Sequence, residues 1–239
     1  DLDRLEVRRR NLIPADAFPY RIPSGSNYDS GDYHTVLQKG LDLARYDELL
    51  QRRDRARAAG RLAGIGIATC LEPGGGNNIF EYLMDPTAEI TTFMEACEVK
   101  VDPQGKITGM MGTTTSGQGH ETLFATILGE ELEFDPDEIR IVHADSLSGL
   151  PTRSPVASRM AIMLGGAATG AAAKIKDRAM AIAAFNLDRP LDELEYSGGN
   201  ISARNDPSRK LTWEEICFIA YRAYHKLPEG MEPGFQAQF

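Results

Sequence analysis

Two apolar runs joined by a short turn constrain the fold of this chain most strongly. Residues 88–101 and 106–115 are typical of strands, and Asp102-Pro-Gln-Gly105 between them predicts a hairpin turn. Because this hairpin precedes a series of helices, the pattern predicts a mixed α+β fold with packed helices and not a βαβαβ repeat. The later predicted elements are helices at 120–132, 161–186 and 212–224, the last capped by Thr212, and short strands at 139–143, 194–196 and 200–203.

The region before the hairpin has a different character. A helix is predicted to end at Arg10, and several prolines and glycines over 11–32 predict an extended arm. Residues 33–59 fit an amphipathic helix, or a helix pair broken near 42–46, and the apolar run 61–71 predicts a buried strand. We therefore expect an extended arm and helical linker over 1–60, followed by an α+β portion over 61–239. The first residues already fit a helix, which suggests a piece of a longer polypeptide.

Charge and cysteine content exclude several classes of protein. The chain has 35 acidic and 26 basic side chains and a net charge of −9, which argues against a nucleic-acid partner. The uncharged run 160–173 is shorter than the roughly 20 apolar residues of a membrane-spanning helix, so no membrane partner is expected. Three cysteines without paired spacing predict a reducing, cytoplasmic compartment, and four scattered histidines give no support for a metal held by protein side chains.

The strongest candidate for chemistry is Thr113-Thr-Thr-Ser-Gly-Gln-Gly-His-Glu-Thr122, between a predicted strand and a predicted helix. Glycines at 117 and 119 allow a tight turn and close approach of a ligand, and a helix start favours anions. Ser116, Gln118, His120 and Thr122 could add side-chain hydrogen bonds. By spacing alone the segment fits a plain helix cap equally well. It also partly matches the dinucleotide motif G-x-G-x-x-G, with Thr122 in place of the third glycine.

A second candidate is the polar loop 146–159, which also leads into a helix. Irregular loops of about 15 residues are uncommon in compact domains unless they are functional. With the first turn, this loop could hold the two ends of one extended charged ligand, although a surface connection is the alternative. The following small-residue helix, 164–174, fits a tightly packed core helix better than a cofactor contact.

Four motifs in the same order resemble the large, molybdenum-binding subunit of the molybdenum hydroxylases. They are residues 9–20, residues 28–33, the Gly117-Gln-Gly-His-Glu-Thr122 turn, and Ser158-Arg159 before a Gly/Ala helix. This family includes the xanthine dehydrogenase, aldehyde oxidase and aerobic carbon monoxide dehydrogenase groups, and the last is the most similar. Ser116 departs from the glutamine usual in carbon monoxide dehydrogenases, which leaves the substrate open.

The resemblance implies a cofactor and a set of residues around it. The cofactor would be molybdopterin cytosine dinucleotide, with the molybdenum held by the cofactor and not by protein side chains. The family's Tyr-Arg active-site loop and its catalytic glutamate have no counterpart here, so no catalytic residue is assigned and the chain resembles a central portion of the subunit. The implied cofactor-binding residues are Ser116, Gly117, Gln118, Gly119, His120, Thr122, Ser158 and Arg159.

The predicted function is that of a molybdopterin-binding portion of a molybdenum oxidoreductase that hydroxylates an aldehyde, an N-heterocycle or carbon monoxide with water. The resemblance implies further partners: the rest of the large subunit, separate FAD and [2Fe-2S] subunits, and a small-molecule substrate. Alone, the chain is expected to be inactive. The alternatives are a nicotinamide or flavin dinucleotide-binding domain and a non-catalytic assembly module of the same fold.

Overall fold

The structure is a computed structural model that describes residues 3–23, 27–71, 94–143, 145–147, 149–152, 155–156 and 158–239. Its contacts divide the chain into two compact units. The described residues up to 71 belong to the first unit, and those from 94 onward belong to the second. The domain boundary predicted after residue 60 stays a prediction.

In its described residues, the first unit contains three α-helices and one short pair of antiparallel strands. Asp3 caps α1, because its carboxylate accepts the N–H groups of Leu5 and Glu6. The predicted helix pair is confirmed, with its break between Leu43 and Tyr46. The elements are α1 (Arg4–Asn11), β1 (Tyr20–Arg21) paired antiparallel with β2 (Asn27–Tyr28), α2 (Tyr33–Leu43) and α3 (Tyr46–Ala58).

The buried strand predicted at 61–71 is wrong. These residues form no strand, and most of their side chains are exposed. Arg8 donates to the carbonyl of Ile67 over 2.5 Å, and Ile67 packs on the small cluster of Leu5, Leu37 and Leu41. Side chains of α1 and α2 thus contact the apolar run, and it forms no backbone hydrogen bonds to a neighbouring strand among the described residues. The first part of the strand predicted at 88–101, residues 88–93, lies outside the described residues.

The second unit is built on a four-stranded sheet of order β5-β4-β3-β9. Its strands are β3 (Cys97–Val101), β4 (Ile107–Met111), β5 (Arg140–His143) and β9 (Gln236–Gln238). The predicted β3–β4 hairpin is confirmed: Val99 lies opposite Gly109, and the Asp102 carboxylate accepts the N–H groups of Gln104 and Lys106 in the turn. By contrast β5 lies parallel to β4. A second sheet contains β6 (Leu194–Ser197), β7 (Asn200–Ala203) and β8 (Asp206–Leu211), all antiparallel.

The described residues of the second unit also contain three α-helices: α4 (His120–Leu132), α5 (Met160–Leu187) and α6 (Trp213–Arg222). The small-residue part of α5 is core, as predicted, because Ala167, Ala168, Ala171 and Ala172 are buried. Small side chains let α5 lie close to α4 and β3, where burial of apolar surface stabilises the unit. The predicted cap of α6 is confirmed as a capping box of Thr212 and Glu215. The predicted α+β fold class is therefore confirmed.

Candidate functional site

The predicted glycine turn connects β4 to α4 and lies at the carboxyl end of β4. Gly117 has φ +98° and Gly119 has φ +80°, both in the left-handed region that side chains disfavour. A Cβ atom built on either glycine would meet no atom within 4 Å among the described residues. The glycines are thus required by backbone conformation, and they present open backbone that a ligand could approach.

The amino end of α4 has no side-chain cap. Gly119 occupies the cap position, and no side-chain hydrogen bond of the described residues closes the helix there. The N–H groups of the first helical turn and the positive end of the helix dipole favour a negatively charged group at such a position. The turn therefore fits a phosphate better than a neutral group.

The polar side chains of the turn have different environments. The Gln118 Oε1 accepts the Ser116 backbone N–H over 2.5 Å and the Thr115 hydroxyl over 3.0 Å, so this side chain shapes the turn itself. Ser116 and Thr122 are exposed, and their hydroxyls are accessible to a ligand. His120 is only 8% exposed, and its buried Nδ1 has no hydrogen-bond partner among the described residues.

A histidine that the sequence did not single out lies beside the turn. His143, the last residue of β5, approaches the Glu121 Oε1 through Nε2 at 2.7 Å and the Thr113 carbonyl through Nδ1 at 3.1 Å. The Thr113 carbonyl raises the pKa of His143 above its ordinary value, as does Glu121, against the opposing effect of burial. The pKa of the Glu121 carboxyl is lowered, chiefly by its own backbone N–H and further by His143. The parallel pairing of β5 with β4, which places His143 opposite Met111, explains this contact.

Arg159 occupies a different environment from the one expected of a surface ligand. Its side chain is fully buried, and it donates to the Glu95 carboxylate over 2.9 Å and to the Met94 carbonyl over 2.8 Å. The Thr152 hydroxyl donates to the other Glu95 oxygen over 2.6 Å. Arg159 therefore anchors the start of α5 to the residues before β3, and its predicted role in cofactor binding stays a prediction. Its neighbour Ser158 is exposed with φ +49°.

The structure brings the two predicted segments together at one point. A Cβ atom on Gly112, at the start of the glycine turn, would lie 2.7 Å from the Thr152 Cβ of the second loop. Through Thr152, the glycine turn thus adjoins the buried Arg159–Glu95 pair. Positions 144, 148, 153–154 and 157 of that loop lie outside the described residues.

Other features of the described residues do not add a second site of this kind. A groove of about 750 Å³ lies in the first unit along α2 and residues 65–71, and it contains none of the predicted site residues. No group of three His, Cys, Asp or Glu side chains in the described part of the chain is placed to hold a metal. No described helix is both long and apolar enough to cross a membrane. The described cysteines are free, and burial raises the pKa of the Cys97 and Cys217 thiols to about 12.

Comparison with known proteins shows the family to which the chain belongs. A family model described as a molybdopterin cofactor-binding domain matches residues 39–238. The chain belongs to this family. The resemblance to molybdenum hydroxylase large subunits is thereby confirmed, and the matched region includes the whole glycine turn and Arg159.

Individual relatives agree with this assignment. The carbon monoxide dehydrogenase large chain of Hydrogenophaga pseudoflava is 33% identical over 240 residues, which cover 99% of this chain and 29% of the relative. The nicotine 6-hydroxylase large subunit of Paenarthrobacter nicotinovorans is 28% identical over 97% of this chain and 28% of the relative. Quinoline 2-oxidoreductase from Pseudomonas putida 86 superposes with a TM-score of 0.73 at 26% identity, over 98% of this chain and 29% of that chain. The chain thus spans somewhat less than a third of the proteins that it matches.

The sequence did not predict the parallel β4–β5 pair. With α4 between them, these strands form one βαβ unit, and the glycine turn is its first loop. This placement resembles that of a dinucleotide-binding turn. However, β4 also pairs antiparallel with β3, and no other parallel pair occurs among the described strands. A doubly wound nucleotide-binding sheet requires several parallel strands, so the described sheet does not favour the nicotinamide or flavin alternative.

Proposed function

We propose that this chain is the part of a molybdenum hydroxylase large subunit that holds molybdopterin cytosine dinucleotide at the glycine turn. One observation carries the proposal: Gly117 and Gly119 present open backbone immediately before a helix start that no side chain of the described residues caps. Such a start provides backbone N–H donors and a favourable dipole for a pyrophosphate. Membership of the molybdopterin cofactor-binding family supports the choice of cofactor.

Each residue of the turn would have its own role in binding the cofactor. Gly117 and Gly119 admit the phosphates, Ser116 and Thr122 offer exposed hydroxyls, and Gln118 keeps the turn in shape. His120 supports the helix start from its buried position. The second loop approaches the turn through Thr152, and Arg159 holds that loop in place through Glu95. The exposed Ser158 would contribute a further hydroxyl from the same loop. The donor set fits an anionic cofactor and contains no protein ligand for the metal.

When bound, the molybdenum cofactor supplies the redox centre for hydroxylation of a carbon atom with oxygen from water. The residues of this chain bind and orient it, and the groups that act on substrate come from the rest of the large subunit. Electrons leave through partner subunits that carry FAD and [2Fe-2S] clusters, in a cytoplasmic enzyme. The relatives are named for carbon monoxide, nicotine and quinoline, which supports carbon monoxide and an N-heterocycle as candidate substrates. An aldehyde is the third candidate.

The test compares two glycine variants with the same backbone strain. Gly119→Val and Gly230→Val both place a branched side chain at a positive φ, +80° and +77°, with open space around the new Cβ. Both should therefore lose similar stability, of about 1–3 kcal/mol. Only Gly119→Val should lose cofactor, measured as molybdenum, pterin and released cytidine nucleotide per protomer of protein purified with its partners.

Further outcomes separate the alternatives. Gln118→Ala should weaken cofactor binding only about three- to tenfold, because a neutral hydrogen bond contributes about 0.5–1.5 kcal/mol.

Full loading of Gly119→Val with cofactor, together with an intact fold, would show that the turn is only a helix cap. Protection against heat by NAD, without protection by molybdopterin, would support the nicotinamide alternative. A folded native protein that contains no molybdenum in the presence of its partners would support the assembly module.

A further inference from the structure

His143 contacts both ends of the glycine turn with one imidazole ring. Its Nδ1 lies 3.1 Å from the carbonyl of Thr113, which precedes the two glycines. Its Nε2 lies 2.7 Å from the carboxylate of Glu121, which follows them in the first turn of α4. We call this set of three residues the His143 bridge. His143 approaches the turn from the side of β5, and none of the three bridge residues is among those to which the resemblance assigns cofactor contacts.

The chemistry of the partners determines the protonation state in which the bridge is complete. A backbone carbonyl and an ionised carboxylate can only accept hydrogen bonds, and neutral imidazole carries a single N–H. Only the imidazolium form of His143 can therefore donate to Thr113 and Glu121 at the same time. In the neutral form, one ring nitrogen would face an acceptor with its lone pair.

As far as the structure describes the chain, the surroundings of His143 contain one opposing charge. Among the described residues, the strand partner of His143 on β4 is the neutral Met111, the turn contributes the Thr113 carbonyl, and α4 contributes Glu121. Within the described part of the chain, Glu121 is the charged group that acts on the ring, and no cation does so. The bridge is thus a single ion pair, reinforced by one hydrogen bond to the backbone.

We infer that protonated His143 is a positioning residue that ties the two ends of the glycine turn together and so sets the shape in which Gly117 and Gly119 face the cofactor. This inference rests on the proposed function, and it assigns to that function a regulation by pH. His143 acts on the cofactor through the turn.

The direction of the pH dependence follows from the two pKa shifts. The folded state raises the pKa of His143, so the stabilisation is fully present below the ordinary pKa of histidine and is lost as pH rises through the raised value. The folded state lowers the pKa of Glu121, so its contribution is lost as pH falls through that lowered value. The bridge is complete between these two limits, and the turn should loosen above the upper one.

Three measurements on the native protein test the inference. Nitrogen-15 NMR of the imidazole gives the titration midpoint of His143, amide hydrogen exchange reports on Gly117 and Gly119, and metal and pterin analysis gives the cofactor retained at each pH. We expect a midpoint above that of an ordinary histidine. At this pH the exchange of both glycine amides, corrected for its intrinsic pH dependence, should increase several-fold, and cofactor retention should decrease.

Variants separate positioning from a merely structural effect. His143→Gln should show rapid exchange of the Gly117 and Gly119 amides and poor cofactor retention at every pH. The increase in exchange at alkaline pH should therefore be absent from this variant. Glu121→Gln should lower the pH of the His143 titration midpoint. The pH at which glycine amide exchange increases should fall with it. His225→Gln is the matched control, because His225 is exposed and lies in a short 3₁₀ segment away from the turn, and it should behave as the native protein does.

The inference is overturned if glycine amide exchange and cofactor retention stay constant across the His143 titration. It is also overturned if His143→Gln still shows the increase in exchange at alkaline pH. If His143→Gln does not fold, the native titration and Glu121→Gln still decide. A native protein that holds no cofactor at any pH would refute the proposed function, while exchange at Gly117 and Gly119 would still decide whether His143 orders the turn.

Discussion

Arg159 shows at the scale of one residue how burial changes the role of a charge. Its guanidinium is fully buried and pairs with Glu95, whose side chain is equally buried. Removing one partner of a buried ion pair leaves an uncompensated charge, which typically costs about 3–5 kcal/mol. Arg159→Met should therefore lower the free energy of unfolding by about that amount, as measured by urea denaturation.

The control is an exposed ion pair in the same unit. Arg189 and Glu193 are each about two-fifths exposed and lie 3.4 Å apart, so Arg189→Met should cost about 1 kcal/mol or less. In the double variant Arg159→Met with Glu95→Gln, part of the loss should be recovered, because no buried charge is left. If Arg159→Met instead lost cofactor with unchanged stability, Arg159 would contact the cofactor directly, as the resemblance implies.

At the scale of elements, the site depends on how closely α4 lies against β4. Gly109 in β4 makes this approach possible, because a Cβ atom there would lie 2.7 Å from Leu128 and 2.8 Å from Phe124, both fully buried in α4. Gly109→Ala should therefore destabilise the protein by about 1–3 kcal/mol through overpacking. The measurement is again urea denaturation, and cofactor loading should decrease as the start of α4 moves.

A glycine in α5 serves as the control for this prediction. A Cβ atom on Gly166 would meet nothing within 4 Å, so Gly166→Ala should leave stability unchanged or increase it by up to about 1 kcal/mol. Equal stability of the two variants would show that α4 can shift away from β4 without cost.

At the scale of the whole molecule, binding and catalysis are expected to be divided between this chain and the rest of the large subunit. Glu95 is the one buried carboxylate among the described residues, and it is engaged by Arg159 and Thr152. A general base requires a carboxylate or imidazole that is available to the reacting group. We expect the 239-residue chain by itself to show no turnover with carbon monoxide, aldehydes or N-heterocycles, even with cofactor verified by metal analysis.

Activity assays on the 239-residue chain and on the complete large chain with its partner subunits check this division. The complete assembly serves as the positive control. Turnover by the short chain alone would show that it contains a general base that its sequence motifs do not reveal.

Features that depend only on neighbouring residues could be predicted from the amino-acid sequence. The β3–β4 hairpin follows from its turn residues, α6 from its capping box, and α4 and α5 from their composition and length. The glycine turn was recognised for the same reason, since a positive φ at Gly117 and Gly119 is a local requirement. The family was recognised from the order of four motifs, which no single motif would have established.

Tertiary structure alone decided the features that join distant parts of the chain. The polar segment of β8 is a strand because β7 pairs with it, and β9 is a strand because β3, more than a hundred residues earlier, offers it a free edge. The apolar run 61–71 is not a strand, because no neighbouring strand pairs with it among the described residues. Glu95 with Arg159, and Glu121 with His143, meet only after the sheet and α4 have formed. Hydrogen bonds and ion pairs between residues far apart in sequence depend on folded distances, which local patterns do not encode.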